Sequence, residues 1–203
     1  MRTAVVGETG AGKRTLVSLI PRLYDVSEGA IRIDGRNVRD FPLRKLRRSI
    51  GIVLQDTILF SGSVRENLRY GKKDATDEQI IAAADAANAH RFISELPEGY
   101  DTVIAERRLT LSGGQRQRLS IARTLLQDPR VLSLVEATSS LDSESENLIN
   151  EALDHVLQGR TSLIIAHRLS TILDADNILV FRRGELIEQG RHEDRIEDGS
   201  GYY

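Results

Sequence analysis

Residues 7–15 read Gly7-Glu8-Thr9-Gly10-Ala11-Gly12-Lys13-Arg14-Thr15. The spacing G-x-x-x-x-G-K-[ST] is that of a phosphate-binding loop, and it is met up to Lys13. Arg14 then stands where a hydroxyl should ligate Mg²⁺. Gly7, Gly10 and Gly12 open backbone conformations closed to other residues. Successive N–H groups can then line an anion-binding nest ahead of a helix. Lys13 would reach the β- and γ-phosphates of a nucleotide. The loop needs a strand before it and a helix after it. Thr3-Ala4-Val5-Val6 reads as the strand, and Leu16 to Ile20 as a buried helix. The loop predicts a nucleotide site, and Arg14 puts hydrolysis in question.

Further along the chain stand other residues with chemical potential. Leu111-Ser112-Gly113-Gly114-Gln115 precedes a helix rich in Arg and Ala. Gln55 ends an apolar strand, Glu136 ends another, and His167 follows a third. Taken singly these are bland. Ser-Gly-Gly is a flexible turn, Gln55 a polar strand end, Glu136 a solvated carboxylate, and His167 a strand-end histidine with a satisfied hydrogen bond. Asp142 alone is a helix N-terminal acid. Arg116 and Arg118 read as structural, on a solvated helix face or at an interface. Only the co-occurrence of these groups, in this order behind the loop, gives them weight.

The elements that must position them follow from patterning. The 203 residues can bury a core as one large domain or two small lobes. A net charge of −2 gives no sign of a nucleic-acid binder. There are no cysteines, which excludes disulfides and thiolate metal sites. No apolar run approaches the ~18 residues that span a bilayer. With no Trp and 4% aromatics, the core must be aliphatic. Ala30–Ile33 and Arg36–Val38 flank Asp34-Gly35 as a hairpin. Pro42 to Arg48 is a short basic helix, and Ser49 to Leu54 a strand. Thr76 and Gln79 form a capping box that opens a helix through about Ala89. Residues 114–127 and 143–157 are helices. Val131–Val135 and Ser162–Ala166 are strands, and 178–181 with 185–188 close the chain as a hairpin. The sum is an α/β core interrupted by a helical insertion near 56–128.

With these motifs in this order, the chain resembles the nucleotide-binding domain of an ABC transporter over nearly its whole length. Residues 55–71, from Gln55 to Gly71, are similar to the segment of multidrug and lipid exporters that faces the coupling helices. Asn88 to Ile104, Gln115 to Leu126 and Ile164 to Thr171 continue the exporter resemblance. The resemblance implies a P-loop NTPase core with an antiparallel β subdomain and an inserted α-helical subdomain. It implies ATP and Mg²⁺ as cofactors and a second ABC domain as head-to-tail partner. It also implies a transmembrane domain, outside this chain, that holds it at the cytoplasmic face of a membrane. Gly7 to Thr15 would be the Walker A loop. Gln55 would touch metal or attacking water. Leu111 to Gln115 would be the signature that binds the γ-phosphate of ATP held by the opposite subunit. Glu136 would be the general base, Ser140-Leu141-Asp142 the D-loop, and His167 the switch histidine.

The chain departs from the family's pattern at the metal. Thr15 sits ~100° around the helix from Arg14 and is poorly placed to substitute for the missing hydroxyl. The strand Val131-Leu132-Ser133-Leu134-Val135 ends in Val135 where the family has the Walker B aspartate. Both protein groups that fix the metal in P-loop enzymes are therefore replaced. Ser133 puts a hydroxyl in an apolar strand, at about 1–3 kcal/mol if unpaired. Arg108 stands where exporters usually have glycine. The family carries further strands upstream of Met1, with an aromatic residue that stacks on adenine, so the resemblance implies a fragment. Two readings stay open: an exporter ATPase with impaired turnover, or a non-hydrolytic module lending its signature to an intact partner. At the loop, Arg14 either stands in for the metal's charge or occludes the site. A DNA-repair or translation ATPase is disfavoured by the exporter-like stretch 55–71.

Overall fold

A computed structural model describes residues 1–54, 57–104, 111–135, 142–166 and 169–192. In chain order the elements begin with β1 (Arg2–Gly7), α1 (Lys13–Leu19), β2 (Arg32–Ile33), β3 (Arg36–Asn37), α2 (Leu43–Arg48) and β4 (Ile50–Val53). There follow β5 (Gly62–Ser63), α3 (Val64–Arg69), α4 (Asp77–Ala86), α5 (His90–Ser94), β6 (Val103–Ile104) and α6 (Gly113–Gln127). The last are β7 (Val131–Val135), α7 (Ser143–Leu157), β8 (Thr161–Ile165), α8 (Leu169–Leu173), β9 (Asn177–Arg182) and β10 (Glu185–Gly190). The chain divides into two compact units. One comprises Met1–Ile52, Arg130–Glu136 and Gly159–Tyr203; the other comprises Val53–Pro129 and Ala137–Gln158.

The first unit is built on a six-stranded sheet in the order β10-β9-β1-β8-β7-β4. Strand β1 lies between β8 and β9 and is parallel to both, and β7 is parallel to β8. A strand flanked on both edges and covered on both faces must be apolar throughout. Accordingly Thr3, Ala4, Val5 and Val6 are all buried. Ala4 and Val6 pack with Ile178, Val180 and Ala166, covered by Ile172 and Ala175. On another part of the sheet Val135 and Ile165, at the ends of β7 and β8, pack with Val17 of α1. A third cluster gathers Val38, Leu46 and Ile50 with the hairpin residues Ile31 and Ile33. That hairpin turns through Asp34 and Gly35 at φ +50° and +78°, the double left-handed turn its Asp-Gly pair predicts.

The second unit is helical, with α6 packed against α3, α4 and α7. Three helices open with complete capping boxes: Ser63 with Glu66, Thr76 with Gln79, and Ser112 with Gln115. The helix begun at Thr76 ends at Ala86, short of the expected Ala89, because Asn88 turns left-handed at φ +52°. Arg118 is structural as expected, but it is buried rather than on a solvated helix face. Its guanidinium donates to the Asn88 carbonyl at 2.7 Å and lies 5.0 Å over the Phe92 ring. Arg123 likewise turns inward, donating to the Asn67 carbonyl at 3.0 Å. Burial lowers the pKa of both guanidiniums. Each then acts as a polar strut between helices that the rest of the helical face cannot supply.

Ser133 is 0% exposed and its hydroxyl has no hydrogen-bond partner. Removing an orphaned buried hydroxyl should stabilise the sheet. Ser133→Ala is expected to raise unfolding free energy by about 1–2 kcal/mol in urea titration. A loss of that size would show that the hydroxyl is bonded after all.

Candidate functional site: a phosphate loop and a capped Ser-Gly-Gly-Gln turn

Strand β1 delivers the chain to Gly7 at its carboxyl end, where ligands bind in open α/β sheets. The Phe181 carbonyl of β9 occupies the place a side chain at Gly7 would take. Gly10 and Gly12 lie at φ +86° and +96°, and Gly12 is the N-cap of α1. The loop closes on itself through the Ala11 N–H, which donates to the Glu8 carbonyl at 3.1 Å. The turn between β9 and β10 braces it, with the Gly184 N–H donating to the Ala11 carbonyl at 3.1 Å. Glu8, Thr9 and Gly10 are exposed, and Ala11 is buried.

Lys13 is the buried cation of this loop, only 6% exposed. Its ammonium donates to the Gly7 carbonyl at 2.5 Å and to the Glu8 carbonyl at 2.9 Å. Desolvation by burial lowers its pKa, and the neighbouring positive charge of Arg14 lowers it further. For a lysine the sign is plain: carrying the proton costs stability here, and the cost is relieved by an anion or as pH rises through the lowered value. Arg14 and Thr15 follow on the exposed first turn of α1.

The two positions at which the resemblance implies metal ligands, Arg14 and Val135, carry no group that fits a metal ion. Arg14 brings a positive charge to the position of a neutral hydroxyl ligand. Val135 is 7% exposed and packs with Val17 and Ile165, which leaves an apolar contact where the resemblance implies an aspartate. Among the described residues no cluster of His, Cys, Asp or Glu could hold a metal ion.

Leu111 to Gln115 begin α6. Ser112 is its exposed N-cap, and the Ser112 Oγ accepts from the Gln115 N–H at 3.2 Å. The Ser112 N–H in turn donates to the Gln115 side chain at 2.9 Å. The serine keeps its own O–H proton, which can be donated to an acceptor beyond the helix. Gly113 is exposed, whereas Gly114 is buried where a Cβ would come 2.9 Å from that of Ser145. Gly114 is thus fixed by packing of α6 on α7. The S-x-x-Q spacing is itself a capping-box signal, and sequence reasoning missed it at this position. Asp142 caps α7, accepting from the Ser145 N–H at 2.8 Å. Hydrogen bonds from Ser145 hold its carboxyl below the usual range, so its capping contribution is lost only as pH falls through that lowered value. Gln55, Glu136, Ser140, Leu141 and His167 lie outside the described residues, as does Arg108.

A parallel sheet feeding a glycine loop that folds over a buried lysine defines a P-loop NTPase. Residues 1–139 match the family model described as ABC transporter, and the chain belongs to that family. It is 56% identical over 200 residues to an ATP-dependent lipid A-core flippase of Syntrophus aciditrophicus, covering 98% of this chain and 33% of the relative. It is 55% identical over 199 residues to a Bacillus subtilis protein named for multidrug export as an ATP-binding/permease protein. That match covers 98% of this chain and 34% of the relative. A Staphylococcus aureus protein named in the same way matches at 55% identity over 199 residues, with the same coverage of both chains. The chain therefore spans about a third of the length of these curated relatives. The names of these relatives agree with the exporter resemblance of its sequence. No helix among the described residues is long and apolar enough to cross a membrane.

The apolar setting of Val135 has a measurable consequence. Val135→Asp is expected to lower stability by about 3 kcal/mol or more at pH 7, because a carboxylate would replace buried aliphatic contact. The loss relative to the unaltered protein should shrink at pH 4, where the acid is neutral. Paired urea titrations at the two pH values measure it; an unchanged midpoint at pH 7 would contradict this packing.

Proposed function

We propose that this chain is the ATP-binding domain of an ABC exporter whose own nucleotide site binds ATP but turns it over weakly or not at all. The observation that carries this is the contrast within one site. The loop and its buried Lys13 are built for phosphate, while Arg14 and the packed Val135 stand at both metal anchors. Mg²⁺ stabilises charge on a transferring phosphoryl group by several kcal/mol. Losing both anchors should therefore slow hydrolysis by orders of magnitude. Gln55, Glu136 and His167 take the roles of water or metal contact, general base and γ-phosphate contact. Asp142, with Ser140 and Leu141, crosses a dimer interface. The exporter names of the relatives support transport across a membrane, through a transmembrane domain that this domain would drive.

Purified protein titrated with ATP and Mg²⁺ tests this directly. Turnover should be no faster than that of Glu136→Gln. A folded Arg14→Ser/Val135→Asp double variant should recover Mg²⁺-dependent turnover. Rapid hydrolysis by the unaltered chain would overturn the reading.

The intact cap at Ser112 favours a second reading, in which the chain lends its signature to a partner with complete Walker motifs. Ser112 is exposed and its hydroxyl proton is unspent by the cap. Mixing with such a partner should then give ATPase activity that falls at least about tenfold on Ser112→Arg, the loss of a charge-assisted contact. Unchanged activity would sink this second reading.

A further inference from the structure

Against the family's pattern, Arg14 adds one positive charge and Val135 removes one negative charge. Lys13 and Arg14 are consecutive, and the charge of Arg14 is felt at the Lys13 ammonium. The turn that braces the loop through Gly184 and Ala11 carries Arg183, between Arg182 at the end of β9 and Glu185 at the start of β10. Glu8 is the acid within the loop itself, and it is exposed. A nucleoside triphosphate without metal carries about two more negative charges than its Mg²⁺ complex, so a site must supply those charges or bind the complex. Arginine is suited to this because its planar fork donates to phosphate oxygens in pairs and never deprotonates.

We propose that this loop binds nucleoside triphosphate free of any divalent cation, with the Arg14 guanidinium supplying the charge that Mg²⁺ supplies elsewhere. The inference rests on the nucleotide-binding reading of the loop and goes beyond it in naming the ligand's form. The same residue that removes a metal ligand then serves as a phosphate ligand. Binding would be preserved where phosphoryl transfer is not, because a guanidinium supplies charge but not the Lewis-acid activation a metal ion would supply.

Calorimetric titration of the full 203-residue chain with ATP, once in excess EDTA and once in millimolar Mg²⁺, tests this. The apparent dissociation constant should be about tenfold or more weaker in Mg²⁺ than in EDTA, because millimolar Mg²⁺ converts free ATP into the complex the loop does not take, and constants that agree would overturn the inference. Arg14→Ser should weaken binding in EDTA about tenfold or more, and Arg14→Lys, which keeps the charge but not the fork, should recover only part of it. Arg14 is exposed, so these changes leave the core intact. Binding by the unaltered chain in Mg²⁺ but not in EDTA would overturn the inference while leaving the nucleotide site standing. An Arg14→Ser variant that binds equally well in EDTA would also overturn it. Absence of binding in both conditions would instead remove the nucleotide-binding reading itself.

Discussion

The Lys13 ammonium, held between the carbonyls of Gly7 and Glu8, is the interaction on which the rest of the site depends. A buried cation is costly unless it is paired or hydrogen-bonded. Here the loop's own backbone supplies the acceptors. That requires the chain to leave β1 at Gly7, double back through Gly10 and Gly12, and enter α1 within a few residues. It also requires the Phe181 carbonyl to sit where Gly7 has no side chain. The parallel pairing of β1 with β8 and β9 fixes the strand end that makes this possible. The arrangement leaves the ammonium desolvated, beside the charge of Arg14, and most stable when an anion joins it.

The altered metal positions are not equivalent in physical character. Arg14 lies on the exposed first turn of α1. Val135 lies in the core, where its side chain contributes contact with Val17 and Ile165. Ser133 shares its face of β7, since residues two apart point the same way in a strand. That face therefore holds an orphaned hydroxyl at one position and an apolar side chain at the next. A strand tuned only for packing would not carry the serine, and one tuned for metal chemistry would not carry the valine.

Much of the first unit was legible because its signals are local or repetitive. The apolar run before Gly7, the Asp34-Gly35 turn and the Lys13 motif each specify geometry by themselves. The helix 143–157 was read to its ends because Asp142 caps it and its apolar positions repeat at helical spacing. Where reading failed, the cause lay in contacts distant in sequence. Asn88 stops its helix in a left-handed turn while its side chain reaches the Leu148 carbonyl, which no local pattern announces. Arg118 looks like a surface residue until the Asn88 carbonyl and the Phe92 ring are placed beside it. The β5–β6 ladder joins two-residue strands far apart in the chain. For the candidate site, the loop and the signature were legible as motifs. The capping box inside the signature, and the Ser145 contact that demands Gly114, were not seen.

The proposed site is a phosphate cradle in which Arg14 takes the part of a metal ion. A crystal structure of the chain grown with ATP and Mn²⁺, with data collected at the manganese absorption edge, tests it most directly. The account predicts triphosphate density over the loop, the Arg14 guanidinium within hydrogen-bond distance of a phosphate oxygen, and no anomalous peak beside it. A manganese peak bridging the phosphates next to Arg14 and Val135 would contradict it.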